Sequence, residues 1–178
     1  MFRPHILCIS GSARAQSTNT ILLRAIAQYC GDLARFTMAP AVDTLPVFSP
    51  DSEGDLTPLS VLAFARQVAE ADGLLFAGPE YAHGIPGGLK NALDWLVSRS
   101  EFPEKPAMMV HASVRGSHAR AALAEVLRTM SARLISEDGF SLHLMGKSED
   151  EMRVLLDGAR DDMRRTIETF MRAIGDKR

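Results

Sequence analysis

Five strand-like segments, three of them unbroken apolar runs, spaced by stretches of helical periodicity, leave this chain few ways to fold. The first, Ile6-Leu7-Cys8-Ile9, starts from His5 and ends in Gly11-Ser12. A run apolar at every position is what a strand buried on both faces requires. Thr18 to Cys30 then carries Ile21, Leu22, Ala25, Ile26 and Tyr29 at helical spacing and stops at Gly31. Ala34 to Met38 is a short second strand, and Asp43 to Thr57, rich in Pro, Ser, Asp and Gly, reads as a surface loop. Pro58 begins a second helix to about Asp72, whose apolar face includes Leu59, Leu62, Ala65 and Val68, and Gly73 to Ala77 is a third buried strand. Leu89 to about Arg99 predicts helix three, Ala107 to Ala112 strand four and His118 to Arg133 helix four. Leu134 to Leu144 supplies strand five around an internal turn at Asp138-Gly139, and Glu149 to Ile174 is a long terminal helix with a break near Gly158.

Strands alternating with helices imply an α/β fold with a parallel sheet covered on both faces, because parallel strands need crossover connections. No repeat or linker interrupts the pattern, so residues 1–178 are expected to form one domain. In open sheets of this class ligands bind beyond the carboxyl ends of the strands, which directs attention to the loops after strands one, three and four. A net charge of −2 offers no basic field for nucleic acid. The apolar runs are far shorter than the roughly 20 residues that span a bilayer. The N-terminus enters a strand without the regions of a secretory signal, so the cytoplasm is the expected compartment. Cys8, in the first strand, and Cys30, at a helix end, fit reduced packing residues rather than a disulfide scaffold.

The loop after strand one reads Gly11-Ser12-Ala13-Arg14-Ala15-Gln16-Ser17-Thr18-Asn19 and opens onto helix one. A helix N-terminus presents unpaired N–H groups and a partial positive charge that favour an anion. Ser12, Ser17 and Asn19 add hydrogen-bond donors, and Arg14 adds a charged fork suited to phosphate. On these residues alone a second reading stands beside the first: Ser17 or Thr18 caps a helix and Arg14 is a solvated charge. The loop lacks both the glycine spacing of a dinucleotide fingerprint and the Gly-Lys-Ser/Thr ending of a triphosphate loop, which favours one terminal phosphate.

The loop after strand three is Gly78-Pro79-Glu80-Tyr81-Ala82-His83-Gly84-Ile85-Pro86-Gly87-Gly88, leading into Leu89-Lys90-Asn91-Ala92-Leu93-Asp94-Trp95. Prolines fix the backbone and glycines permit close approach, a combination that suits either a wall against a planar heterocycle or a rigid turn before a helix. Together the two loops resemble those of the NADPH-dependent FMN reductase family. Gly11, Ser12, Arg14, Ser17 and Asn19 fill its Gly-Ser-x-Arg-x-x-Ser-x-Asn phosphate motif, and Pro79-Glu80-Tyr81, Pro86-Gly87 and Leu89 to Trp95 fill its second signature. The resemblance covers almost the whole chain. It implies a flavodoxin-like three-layer sandwich with strand order 2-1-3-4-5 and bound FMN. Its phosphate would lie on Ser12, Arg14, Ser17, Thr18 and Asn19, and its ring against Pro79, Glu80, Tyr81, Ala82, His83, Gly84, Ser113, Arg115 and Gly116.

The sequence departs from the family at two places. Many members have Asn after the Tyr and Ser two residues later, where this chain has Ala82 and Gly84, so ring contacts there fall to the backbone. Many also follow strand four with Ser and several glycines, where this chain has Ser113-Val114-Arg115-Gly116-Ser117-His118. Two readings of Arg115 remain open, attraction of NADPH phosphates and a surface charge without a ligand.

The resemblance further implies an enzyme in which NADPH or NADH reduces bound FMN, which then reduces a small-molecule acceptor such as a quinone, azo compound, free flavin or metal oxyanion. No acid or base residue is required, because the flavin carries the chemistry. The alternative is an FMN-binding electron carrier without NAD(P)H turnover, though such carriers are usually strongly acidic. Relatives commonly form homodimers or homotetramers, which makes Trp95 and the Lys90 to Ser98 face interface candidates beside ordinary core packing. His5, His83, His111 and His143 show no metal-ligand spacing and default to structural or solvent-facing roles, and no Gly-x-Ser-x-Gly elbow is present.

Overall fold

The computed structural model describes residues 3–14 and 16–176. The chain forms β1 (His5–Ser10), α1 (Thr18–Tyr29), β2 (Arg35–Met38), α2 (Leu59–Glu70), β3 (Gly73–Ala77), α3 (Gly87–Asp94), β4 (Pro106–His111), α4 (Ser117–Thr129), β5 (Arg133–Ser141), α5 (Glu149–Gly158) and α6 (Arg160–Gly175). All neighbouring strands are parallel, in the order β2-β1-β3-β4-β5. The order reverses between β1 and β3, which opens the switch-point crevice at their carboxyl ends.

Strand periodicity distributes the core. Leu7, Ile9, Leu74, Phe76 and Met109 pack on one face under α2, α3 and α4, while Ile6, Cys8, Leu75, Met108 and Val110 pack on the other under α1, α5 and α6. Successive side chains of a strand point to opposite faces, so a run apolar at every position feeds both layers. Cys8 and Cys30 are free buried thiols, and burial pushes both up, to about 12 and about 11. They pack as small hydrophobes. Among the described residues no helix is long and apolar enough to cross a membrane.

Two elements differ from the sequence expectation. Strand five has no turn at Asp138-Gly139, for β5 runs through both residues with register shifts against β4 around Met108. Gly139 is needed because a Cβ there would meet the Met108 Sδ at 2.6 Å, so this glycine marks a close approach rather than a chain reversal. Helix three ends at Asp94, not Arg99, although Trp95 and Leu96 continue its buried face. The terminal helix breaks at Gly158 and Ala159, where the sequence places the break.

The segment from 43 to 57 is anchored rather than a free loop. It contains short 3-10 turns at Val42–Thr44, Pro50–Ser52 and Gly54–Leu56, and Val42 and Leu45 are buried. Asn91 of α3 accepts the Phe48 N–H at 2.8 Å and donates to the Pro46 carbonyl at 2.9 Å. The Trp95 Nε1 donates to that same carbonyl at 2.8 Å, and the Phe48 ring meets the indole edge-on at 5.1 Å. Trp95 is only 1% exposed, which excludes its indole from an interface between subunits.

Candidate functional site

The loops after β1, β3 and β4 enclose a cleft of about 470 Å³, within the usual size of a small-molecule pocket. Its inner wall is apolar, with Phe76, Leu89, Met109 and Leu123. Its rim carries Ser12, Arg14, Ser17, Thr18, Asn19, Pro79, Glu80, Tyr81, Ser113, Arg115 and Gly116, so eleven of the fourteen residues marked by the sequence meet in one place. Ala15, a variable position of the first motif, lies outside the described residues.

At the β1 loop the helix cap is formed, and it leaves donors over. The Ser17 hydroxyl caps α1 by accepting the Asn19 N–H at 3.3 Å, and the Ser12 hydroxyl accepts the Arg14 N–H at 3.2 Å. A hydroxyl that accepts from a backbone amide keeps its own proton to donate. Ser12, Ser17 and Asn19 are buried, yet the Asn19 side-chain amide makes no hydrogen bond among the described residues. Arg14 is exposed and forms no ion pair there, and the first turn of α1 contains no acid. Donors and a cation without internal partners are the chemistry of a phosphate cradle.

The β3 loop is a tight reversal. Tyr81 and Gly84 exchange both backbone hydrogen bonds, at 3.1 and 2.9 Å, while Ala82 and His83 take φ of 48° and 58°. Positive φ at both central residues is the type I′ turn, which favours Asn-Gly. Ala82, His83 and Gly84 are not among the residues that line the cleft, and they stand at its edge in this turn beside Tyr81, which lines it. A left-handed alanine costs about 1–2 kcal/mol that asparagine largely avoids. Ala82→Asn is therefore expected to raise stability by about 1 kcal/mol, or roughly 2–4 °C in Tm for a domain of this size. Thermal unfolding followed by circular dichroism checks this, and a fall in Tm would count against the assigned turn.

Glu80 also acts differently from a ring contact. Its Oε2 accepts the Ala119 N–H at 2.8 Å, capping α4 from a neighbouring loop where Gly116, the N-cap residue, has no side chain to do so. A Cβ on Gly116 would lie 3.4 Å from the Glu80 Cβ, and its φ of +100° favours glycine independently. His83 stacks on His118 with ring centroids 4.3 Å apart, joining the same two loops behind the cleft.

Two titratable lining residues escaped the sequence reading of the site. Arg120 reaches back from the first turns of α4 to the carbonyls of Ser113 and Arg115, and its Nη1 lies 3.3 Å from Asp138. The signal was available in principle: an arginine three residues after the helix start points toward the preceding turn. His111 is buried at the end of β4 and lines the cleft. Its Nε2 is 2.6 Å from the Glu137 carbonyl, and a carbonyl can only accept, so this nitrogen carries the proton. Burial holds the imidazole below its ordinary range, which favours its neutral form.

Charge is unevenly distributed around the cleft. Among its described lining residues the cations are Arg14, Arg115 and Arg120, and the one acid, Glu80, is committed to α4. Backbone donors are similarly in surplus. The N–H groups of the half-buried Glu80, Ser113 and Gly116 have no partner among the described residues. Donors this near the interior need acceptors, which a heterocyclic carbonyl and ring nitrogens would supply. The residues thus fit a ligand with a phosphate at one end and a polar planar ring at the other. No group of three or more potential metal ligands occurs among the described residues.

The profile of the NADPH-dependent FMN reductase family matches residues 4–145. The chain is 34% identical over 176 residues to a 2-hydroxy-1,4-benzoquinone reductase of a Burkholderia species, covering 93% of this chain and 91% of that protein. It is 33% identical over 149 residues to an NADH:(hydroxy)cinnamate reductase subunit of Vibrio ruber, covering 80% and 71%. Its fold is similar to that of the flavoenzyme NAD(P)H:(acceptor) oxidoreductase FerB of Paracoccus denitrificans, with a TM-score of 0.74, 24% identity, and coverage of 94% and 98%.

Proposed function

This chain belongs to the NADPH-dependent FMN reductase family and is a flavin-dependent NAD(P)H oxidoreductase, and we propose that its cleft binds FMN so that a quinone can be reduced at the open face. The surplus of unpartnered donors along the cleft carries this reading. Ser12, Arg14, Ser17, Thr18 and Asn19 hold the phosphate. Pro79, Tyr81 and the Glu80 backbone form one side of the ring site, and Ser113, Arg115 and Gly116 the other. FMN, when bound, accepts a hydride from NAD(P)H and passes two electrons on. The protein contributes position and electrostatics, and no side chain is assigned as acid or base.

Quinones are favoured as acceptors because the Burkholderia relative, matched along nearly its whole length, is named for one. Tyr81, 57% exposed, and Met145, 51% exposed, offer apolar faces at the rim for a flat aromatic. Assembly into a homo-oligomer belongs to the same reading, supported by the exposed Val47, Leu56, Leu59 and Val97, and sedimentation velocity at micromolar concentration tests it.

The central experiment records the visible spectrum of the purified protein and then adds NADPH or NADH without oxygen. Bleaching at a catalytic rate, followed by recolouring on addition of 1,4-benzoquinone, is expected. A yellow protein that stays oxidised would instead indicate an electron carrier, and a colourless one that takes up no FMN would overturn the assignment.

Arg115 provides a sharper check on nucleotide preference. It is exposed and has no acidic partner among the described residues, so it is available to an incoming phosphate. Arg115→Ala is expected to raise the KM for NADPH about 3–10-fold, the range of a partly screened charge contact of about 0.7–1.4 kcal/mol, and to change that for NADH less. Equal KM values before and after substitution would remove Arg115 from nucleotide recognition.

A further inference from the structure

The ring wall after β4 has fewer glycines than the family pattern, and its shape depends on a residue outside the loop. Arg120 donates from Nη2 to the Ser113 carbonyl and, at 3.4 Å, to the Arg115 carbonyl, while the Ser113 hydroxyl accepts the Arg115 N–H at 3.0 Å. Nη1 is 3.3 Å from Asp138 on β5, a carboxylate that is itself 3.3 Å from the His111 Nε2. The Arg120 side chain is 21% exposed, against 71% for Asp138. These bonds use the carbonyls of Ser113 and Arg115 and leave the N–H groups of the cleft-lining Ser113 and Gly116 without partners among the described residues.

Resting on the flavin reading above, we propose that Arg120 is a positioning residue for the redox reaction: it draws the carbonyls of Ser113 and Arg115 toward α4 so that the neighbouring amides serve the ring, and it sets a fixed cation behind that wall. An arginine suits both tasks, because its rigid fork can hold two carbonyls and its charge is permanent. Reduction adds electron density to the ring, and preorganised donors backed by a cation favour the more electron-rich form. Asp138 offsets this charge only weakly, being exposed and loosely paired.

The test measures affinity and potential rather than turnover. Wild-type protein, Arg120→Met and Arg120→Lys are freed of flavin and titrated with oxidised FMN and with dithionite-reduced FMN, after circular dichroism has established that each folds. Arg120→Met is expected to weaken oxidised FMN about threefold to tenfold and reduced FMN about tenfold more, which lowers the two-electron potential by about 30 mV. Arg120→Lys keeps the charge without the fork, so oxidised-FMN affinity should fall while the potential stays near the wild-type value.

Equal loss of both affinities in Arg120→Met, or no loss in either, would overturn the proposal. If Arg120→Met does not fold, Arg120→Lys decides alone, with unchanged oxidised-FMN affinity the overturning result. Wild-type protein that binds no FMN would overturn the flavin reading and this inference together, whereas failure of the variants alone overturns only the inference.

Discussion

Trp95→Ala is expected to destabilise the protein by about 3–5 kcal/mol, the cost of emptying a buried aromatic site, and to lower Tm by roughly 6–20 °C. The indole is 1% exposed, receives the Phe48 ring edge-on and donates to the Pro46 carbonyl. Truncation would therefore open a cavity and also release the partner of a buried hydrogen bond. Asn91 would still hold Pro46 and Phe48, so the segment around them should loosen before the sheet does. Differential scanning calorimetry measures the loss, and Trp95→Phe should retain most of the packing. A Tm change below about 3 °C in Trp95→Ala would contradict the packing described, since 1 kcal/mol alone moves Tm by about 2–4 °C at this size.

Arg14→Glu tests the opposite property, binding without stability. Loss of a charge-assisted contact to phosphate costs about 1.5–3 kcal/mol, and the introduced carboxylate adds repulsion. FMN dissociation constants should rise at least about a hundredfold, at tenfold per 1.4 kcal/mol. Because Arg14 is exposed and makes no ion pair among the described residues, the Tm of the flavin-free protein should hardly change. Quenching of flavin fluorescence on titration reads the affinity. The difference between wild type and variant should shrink with added salt, as expected for a screened contact. A change of less than threefold would remove Arg14 from the phosphate site.

The contrast between these two residues indicates what a sequence can reveal. β1, β3 and β4 are central strands buried on both faces, so each appears as an unbroken apolar run. β5 is an edge strand, only partly buried, and its Ser136, Glu137 and Asp138 imitate a turn before Gly139. The need for that glycine lies in Met108 on another strand, beyond the reach of local pattern. Helix three was overextended for a related reason: Leu96 remains buried after the helical hydrogen bonding has ended.

The site divides in the same way. The β1 loop was legible because cap, hydroxyls and cation lie within nine consecutive positions, from Gly11 to Asn19. Long-range partners were not legible. Glu80 bonds across 39 positions to Ala119, and Asp138 lies 18 positions from Arg120. The motif marked Ala82, His83 and Gly84 as ring contacts, while the turn they form sets them at the edge of the cleft. Their contacts reach residues distant in sequence only through the His83–His118 stack, beside the local Tyr81–Gly84 bonds.

The cap that Glu80 provides for α4 has a consequence for how this chain can change. Neither the β3 loop nor the first turn of α4 can be transplanted alone, because each supplies what the other lacks: a carboxylate on one side, an open N-terminus with a glycine on the other. Variation that retunes one ring wall must therefore carry its counterpart with it, and chimeras exchanging a single loop with a relative would inherit an uncapped helix or an orphaned acid.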